Sequence, residues 1–161
     1  MKQILLICAV VTLVGCGKKD DGNTGVVNPN KPSPKAVVEE AIRWSLAKTN
    51  VQLTKADLEK VTRLELDDKQ LTSVKGLEKL TQLKTLTLAR NELTDVKGLE
   101  KLTQLTHLRL FDNKLTDVEG LEKLTQLKEL SLENNPALTK AQIVELQKAL
   151  PNCEIRSNPT K

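Results

Sequence analysis

The sequence predicts an α/β solenoid, a row of short coils with a parallel sheet along one side and helices closing both ends. Three observations carry that expectation. The octapeptide GLEKLTQL recurs letter for letter at 76–83, 98–105 and 120–127, a spacing of 22 residues, and self-similarity at such a period marks a repeat array. Between the copies, leucines alternate with polar residues: Leu86 with Leu88, Leu108 with Leu110, Leu130 with Leu132. That is the period-2 pattern of a strand with one buried face. The 161-residue chain is 39% apolar, yet that fraction is almost all Leu, Val, Ile and Ala, with one Trp, one Phe and no Tyr. A core of one side-chain type suits a lattice of equivalent sites better than an irregular globule.

In chain order, the first segment is set apart from the fold. Lys2 precedes an apolar run from Ile4 to Val14, too short to span a bilayer as a helix. The run ends in LVGC, residues 13–16, which resembles the bacterial lipobox. The resemblance implies that residues 1–15 are a lipoprotein signal peptide, that cleavage follows Gly15, and that Cys16 carries lipid. The alternative is an ordinary signal peptide in which Cys16 is incidental. Acyl chains anchor at about 0.8 kcal/mol per buried methylene, so the expected partner here is a membrane and the expected location is extracytoplasmic, in the cell envelope. Gly17 after the cysteine, in place of Asp, leans by the same analogy towards the outer membrane if the host has one. Residues 16–34 follow as a flexible tether rich in Gly, Asn, Pro and charge, with a reach of ~20–25 Å for a flexible chain of that length.

Residues 35–57 are expected to form a helical N-terminal cap. Ser33 reads as an N-cap with Pro34 in the first turn, and Val38, Ile42 and Leu46 recur every four residues through a helix predicted over 33–50. Trp44 is expected against the first coil. The repeats occupy 58–137 in units starting at 58, 80, 102 and 124. Leu80, Leu83, Leu93, Val96 and Leu99 complete the inward set of one unit, and stacking is what buries them. Asn91, Asn113 and Asn135 share one position, with Lys69 in their place in the first unit. A buried amide there is expected to bond turn backbone, because leaving it unpaired costs roughly 1–3 kcal/mol.

The shared pattern L-x-x-L-x-L-x-x-N-x-L, with its LTDV-x-GLEK continuation, resembles the leucine-rich repeat, and within it the internalin-like 22-residue class. The resemblance covers about residues 53–155 and implies a short solenoid with a parallel concave sheet. The C-terminal cap, 138–156, is expected to be a helix-strand unit: Thr139 caps a helix to Leu150, Pro151 and Asn152 stop it, and CEIR at 153–156 makes a fifth strand. The sequence LTKA opens both caps, at 53–56 and 138–141, and residues 157–161 read as a polar tail. Three cysteines make no disulfide framework. Cys153 reads as a small buried residue, with a reactive thiol as the other reading.

Little in the chain points to catalysis. There is one histidine, His107, no metal-ligand spacing of Cys and His, and no Gly-rich phosphate loop. The chain is therefore read as a non-enzyme with no cofactor and no metal. Its 25 basic and 21 acidic residues are interspersed, which gives no clustered stripe for nucleic acid. The octapeptide reads as frame, with its leucines inward and its Glu-Lys pairs towards water.

Recognition is expected in the variable strand residues that line the concave face. These form four columns: Arg63, Thr85, His107, Glu129; Glu65, Thr87, Arg109, Ser131; Asp67, Ala89, Phe111, Glu133; and Asp68, Arg90, Asp112, Asn134. The last column alternates in sign and reads as a self-satisfied ladder. Arg109 lies between two uncharged neighbours, and Phe111 is expected exposed. An unpaired Arg beside an exposed aromatic has the composition of an interface hot spot; the alternative is a solvated Arg with Phe111 covered by Arg90 or Asp112. The partner-binding candidates are Arg109 and Phe111 at the centre, with His107, Thr87, Arg90 and Ser131 around them. The partner expected is a protein or peptide bound by a monomer. The competing reading is a structural or spacer protein of the envelope without a specific ligand.

Overall fold

The computed structural model describes residues 32–48 and 52–158. The expected signal segment, Cys16 and the tether up to residue 31 lie outside the described residues, as do 159–161 of the tail.

The described chain is a stack of coils carrying a five-stranded parallel sheet in sequential order: β1 Arg63–Glu65, β2 Thr85–Thr87, β3 His107–Arg109, β4 Glu129–Ser131 and β5 Glu154–Arg156. Equivalent repeat positions face one another, Leu64 with Leu86, Leu108 and Leu130 in turn. The fifth strand continues that register, with Ile155 opposite Leu130. Leu88, Leu110 and Leu132 lie just past the strand ends and are buried. Their N–H groups donate across to Arg109, Ser131 and Arg156 carbonyls at 2.7–2.9 Å, so the ladder runs on where the strand geometry stops. The expected leucine and valine columns fill one continuous aliphatic core. Each buried Leu removes apolar surface worth about 1.5–3 kcal/mol, and no coil has enough of its own surface to bury it without a neighbour.

Each coil turns twice. Just after the strand, Asp68, Arg90, Asp112 and Asn134 adopt the left-handed region with φ of 54–59°. Asp and Asn tolerate that region through local hydrogen bonding, whereas Arg is unusual there. On the opposite side the octapeptide forms a 3-10 turn, Leu77–Lys79 and its equivalents, entered through a glycine with φ near 100° that only Gly adopts readily. The Lys side chains of this turn point to water. The Glu side chains do not simply do so: Glu78, Glu100 and Glu122 each accept from the N–H of the glycine two residues earlier, at 2.5–2.6 Å. The reason is local, since a left-handed glycine leaves its N–H without a turn partner and the carboxylate two residues on is the nearest acceptor.

The asparagine ladder explains the odd first unit. Asn113 accepts from Leu93 N–H of the coil before it, and its amide donates to Leu88 O there and to Leu110 O and Phe111 O in its own coil. Asn91 and Asn135 repeat that pattern. Each amide therefore fastens its coil to the preceding one. The first coil has no preceding coil, and the position is held by the exposed Lys69.

Helix α1, Pro34–Ser45, closes the first end. Ser33 Oγ accepts from Ala36 N–H, Pro34 occupies the first turn, and Val38 and Ile42 are buried. The helix stops earlier than the predicted residue 50. Ala47 turns left-handed at φ 52°, and Ala47 and Lys48 N–H return to the Trp44 and Arg43 carbonyls, the pattern of a Schellman end. Trp44 is 71% exposed, not laid against the first coil as expected. At 100° per residue it sits about 200° around the helix from Ile42, and the Val38–Ile42 stripe takes the inward direction.

The two LTKA sequences both start helices, α2 Lys55–Leu58 and α3 Lys140–Ala149. Thr54 and Thr139 form capping boxes with Asp57 and Gln142. Lys48 Nζ reaches Asp57 at 2.7 Å. Leu146, Leu150 and Cys153 pack the far end, and Asn158 Oδ1 accepts from Asn134 N–H. Among the described residues, no helix is long and apolar enough to cross a membrane.

Candidate functional site

The concave face is built by strand alternation. With Leu64, Leu86, Leu108, Leu130 and Ile155 pointing into the stack, the residues on either side of each point out. Register then assembles two columns across five strands: Arg63, Thr85, His107, Glu129, Glu154, and Glu65, Thr87, Arg109, Ser131, Arg156. Adjacent members are about 4.8 Å apart along the sheet. A basin of about 220 Å³ opens over the middle strands, lined by Thr85, Thr87, His107, Arg109, Glu129 and Ser131 among others. A larger concavity of about 400 Å³ lies at the C-terminal cap, between the Pro136–Lys140 turn, Ile143 and Ser157–Asn158. Its only charged lining residue is Lys140, and its other polar lining is Asn135, Thr139, Ser157 and Asn158.

Of the six candidate contacts, the structure brings Thr87, Arg109 and Ser131 side by side, with His107 beside them on β3. Arg109 is exposed, and among the described residues no carboxylate lies within ion-pair distance of it. Thr87 is 5% exposed and its hydroxyl oxygen is enclosed without a hydrogen-bond partner. The His107 Nδ1 sits 2.9 Å from the Thr106 hydroxyl, so the ring engages its own strand and makes no ion pair with its register neighbour Glu129.

Arg90 and Phe111 lie apart from this group, at the edge where the strands turn. The Arg90 guanidinium stacks over the Phe111 ring, 5.6 Å from its centroid, while its nitrogens fork onto Asp68 at 2.7–2.9 Å. That contact holds the Asp68 carboxyl below the ordinary carboxylate range and raises Arg90 further above its own. Phe111 is half-buried in consequence, so of the two readings the covered one holds, with Arg90 as the cover, and not the exposed hot-spot aromatic. Asp112, next in the ladder, is bonded by Asn134 Nδ2 and not by Arg90, and Asp67 caps Ala89 N–H at 2.9 Å.

Three acids of the face, Glu65, Glu129 and Glu154, were not singled out from the sequence, nor was Arg156. Arg63 bonds Glu65 at 2.8 Å and Arg156 bonds Glu154 at 2.8 Å, each within its own strand; the latter contact raises the Arg156 pKa. The signal for β5 was present, since CEIR was expected as a strand, but its offset of 25 residues from β4 hides it from a 22-residue alignment. Among the described residues, no cluster of three or more His, Cys, Asp and Glu is placed to hold a metal ion.

These features define a leucine-rich-repeat solenoid, and the tandem leucine-rich-repeat profile (two copies) matches residues 103–148. The chain is similar to internalin-like bacterial proteins. It matches the crystal structure of internalin C2 from Listeria monocytogenes with a TM-score of 0.68 and 27% identity, covering 79% of this chain and 58% of that one. It matches internalin F from the same organism with a TM-score of 0.60 and 25% identity, over 80% of this chain and 44% of that one. A leucine-rich-repeat protein of Leptospira interrogans aligns with a TM-score of 0.56 and 28% identity, over 65% and 28%. The chain thus spans less than two thirds of the length of each of these structures. A search of curated proteins finds no match.

Proposed function

We propose that this chain is a lipid-anchored, extracytoplasmic binding module that holds a protein or peptide partner on its concave face without acting on it chemically. The observation that carries this reading is the exposed, unpaired Arg109 between two hydroxyl residues, at the centre of a face whose other arginines are neutralised within their own strands. Lipid attachment at Cys16 is supported by the LVGC sequence at 13–16, and the envelope location, in the outer membrane where the host has one, follows from that attachment. The binding role is also in keeping with the repeat architecture, in which the frame recurs from coil to coil within the chain while the concave columns differ. A five-stranded face is only ~20 Å wide at the spacing of a sheet, which favours a modest interface.

The test is partner capture by an immobilised chain with and without Arg109→Ala and Glu129→Ala. Loss of capture with an intact fold supports the reading. Unchanged capture contradicts it and favours a structural spacer.

A further inference from the structure

We propose that the segment held on the concave face is extended and carries a carboxylate and a basic side chain two residues apart, the carboxylate over Arg109 and the cation over Glu129. The inference rests on the concave-face reading above and names its ligand class.

The two columns contain three arginines, Arg63, Arg109 and Arg156, and three glutamates, Glu65, Glu129 and Glu154. Four of these cancel in pairs: Arg63 with Glu65 and Arg156 with Glu154. Arg109 and Glu129 are left, and among the described residues neither takes part in an ion pair, although Glu129 also lies in the field of Arg156 on the next strand. They are diagonal neighbours, one strand and two residues apart, which is about 8 Å between backbones from a 4.8 Å strand spacing and a 3.3 Å rise.

A strand-like peptide shows its residues i and i+2 on one face at ~6.6 Å, a separation that two flexible side chains on each partner match. Ser131, half-buried beside Arg109 in register, adds a hydroxyl within reach of a bound carboxylate. The Thr87 hydroxyl on the other side is enclosed and out of a ligand's reach. The basin of about 220 Å³ admits side chains of a single strand and not a packed helix.

A polyanion fits poorly, because Glu129 and Glu154 stand in adjacent register beside the cation. A hydrophobic anchor fits poorly as well, because the neighbouring aromatic, Phe111, is already covered by Arg90. The attraction is between charges at a solvated face, so binding is weak and salt-sensitive.

The experiment uses the full chain in detergent, with isotope-labelled Arg109 Nε–H and backbone amides followed by NMR. The probes are four end-blocked pentapeptides of sequence Gly-X-Gly-Z-Gly, in which X and Z are Glu and Lys, Glu and Glu, Lys and Lys, or Gln and Gln. The Glu/Lys peptide is expected to shift the Arg109 side-chain signal and the Thr87 and Ser131 amides most. Arg109→Gln and Glu129→Gln are each expected to weaken that response roughly two- to fivefold, the range for a solvated ion pair, with high salt abolishing it. An equal response to the Gln/Gln peptide overturns the proposal, as does a Glu/Glu response indifferent to Glu129→Gln. A shift of Arg109 Nε–H caused by Glu129→Gln in the free protein also overturns it, since the two charges would then already satisfy each other. If no peptide acts while Arg109→Ala still abolishes partner capture, this inference fails and the concave-face reading stands. If capture is also unchanged, both fail.

Discussion

Arg90 bridges two coils: its nitrogens fork onto Asp68 of the coil before, and its guanidinium plane covers Phe111 of the coil after. The residue stands in a left-handed conformation at φ 54°, where a long side chain is unusual. Its two contacts compensate by joining three consecutive turns at one edge of the sheet.

Arg90→Ala is therefore expected to uncover Phe111 as well as to free Asp68. Phe111→Ala removes the same stacking contact, so the losses of the two single variants should exceed that of the double variant. Urea unfolding of the three variants checks this, and strict additivity would show that the two side chains do not interact.

The asparagine ladder predicts a larger effect. Asn113→Ala leaves the buried Leu93 N–H without a partner, while the carbonyls of Leu88, Leu110 and Phe111 each lose one of two donors and keep Asn91 Nδ2, Asn135 Nδ2 and Arg90 N–H. A loss of roughly 1–3 kcal/mol is expected for that one unmet buried donor, read as a lower urea midpoint at unchanged slope. Lys69→Asn should bring no comparable gain, because the first coil has no predecessor to fasten.

Acid sensitivity follows from carboxyls whose pKa is lowered on folding. Asp57 is lowered by its hydrogen bond from Lys48 and those from Thr54, and Glu100 by the backbone N–H groups of its own turn. Each contributes stability that is fully present above the unfolded carboxylate range, near pH 4, and is lost as pH falls through its lower folded value. Asp57→Asn and Glu100→Gln should each destabilise at neutral pH and flatten the acid limb of the stability curve. Thermal unfolding between about pH 2 and 7 measures both effects.

Cys153 is buried, and burial raises its thiol pKa. Alkylation of Cys153 by iodoacetamide at neutral pH should be slow in the folded chain and fast once β5 opens, as seen by peptide mass spectrometry. Rapid labelling in the native state would mean that the last strand is not docked as it stands here.

The fold was legible because the chain states the same environment several times. Leu86, Leu108 and Leu130 share neighbours, so their spacing reports strand, face and register together, and Asn113 declares itself by recurring with Asn91 and Asn135. Thr139 was legible as a helix start from the sequence after it, and the shared LTKA pointed to a like beginning at 53–56 without naming Thr54 as its cap. Legibility ended where a residue acts once. Trp44 has no repeat to reveal its direction, and its neighbours on α1 decided it. For Phe111 two readings stayed open, exposed or covered by Arg90 or Asp112, because column position does not say which side chain arrives from the adjacent turn. Glu100 was a missed opportunity, since Gly-x-Glu recurs in all three octapeptides and signals a carboxylate reaching back to a glycine N–H. The pairing that leaves Arg109 and Glu129 alone depended on rotamers of Arg63 and Arg156, which no spacing encodes.

Recognition on the concave columns would put a partner over the middle strands and leave the opposite turns free. Site-specific photo-crosslinking on intact cells tests it most directly, with the crosslinker placed at Thr85 on the concave face in one variant and at Lys101 on the opposite turn in another. The structure predicts a discrete crosslinked species from Thr85, lost on Arg109→Ala, and none from Lys101. A partner captured from Lys101 and not from Thr85 would contradict it.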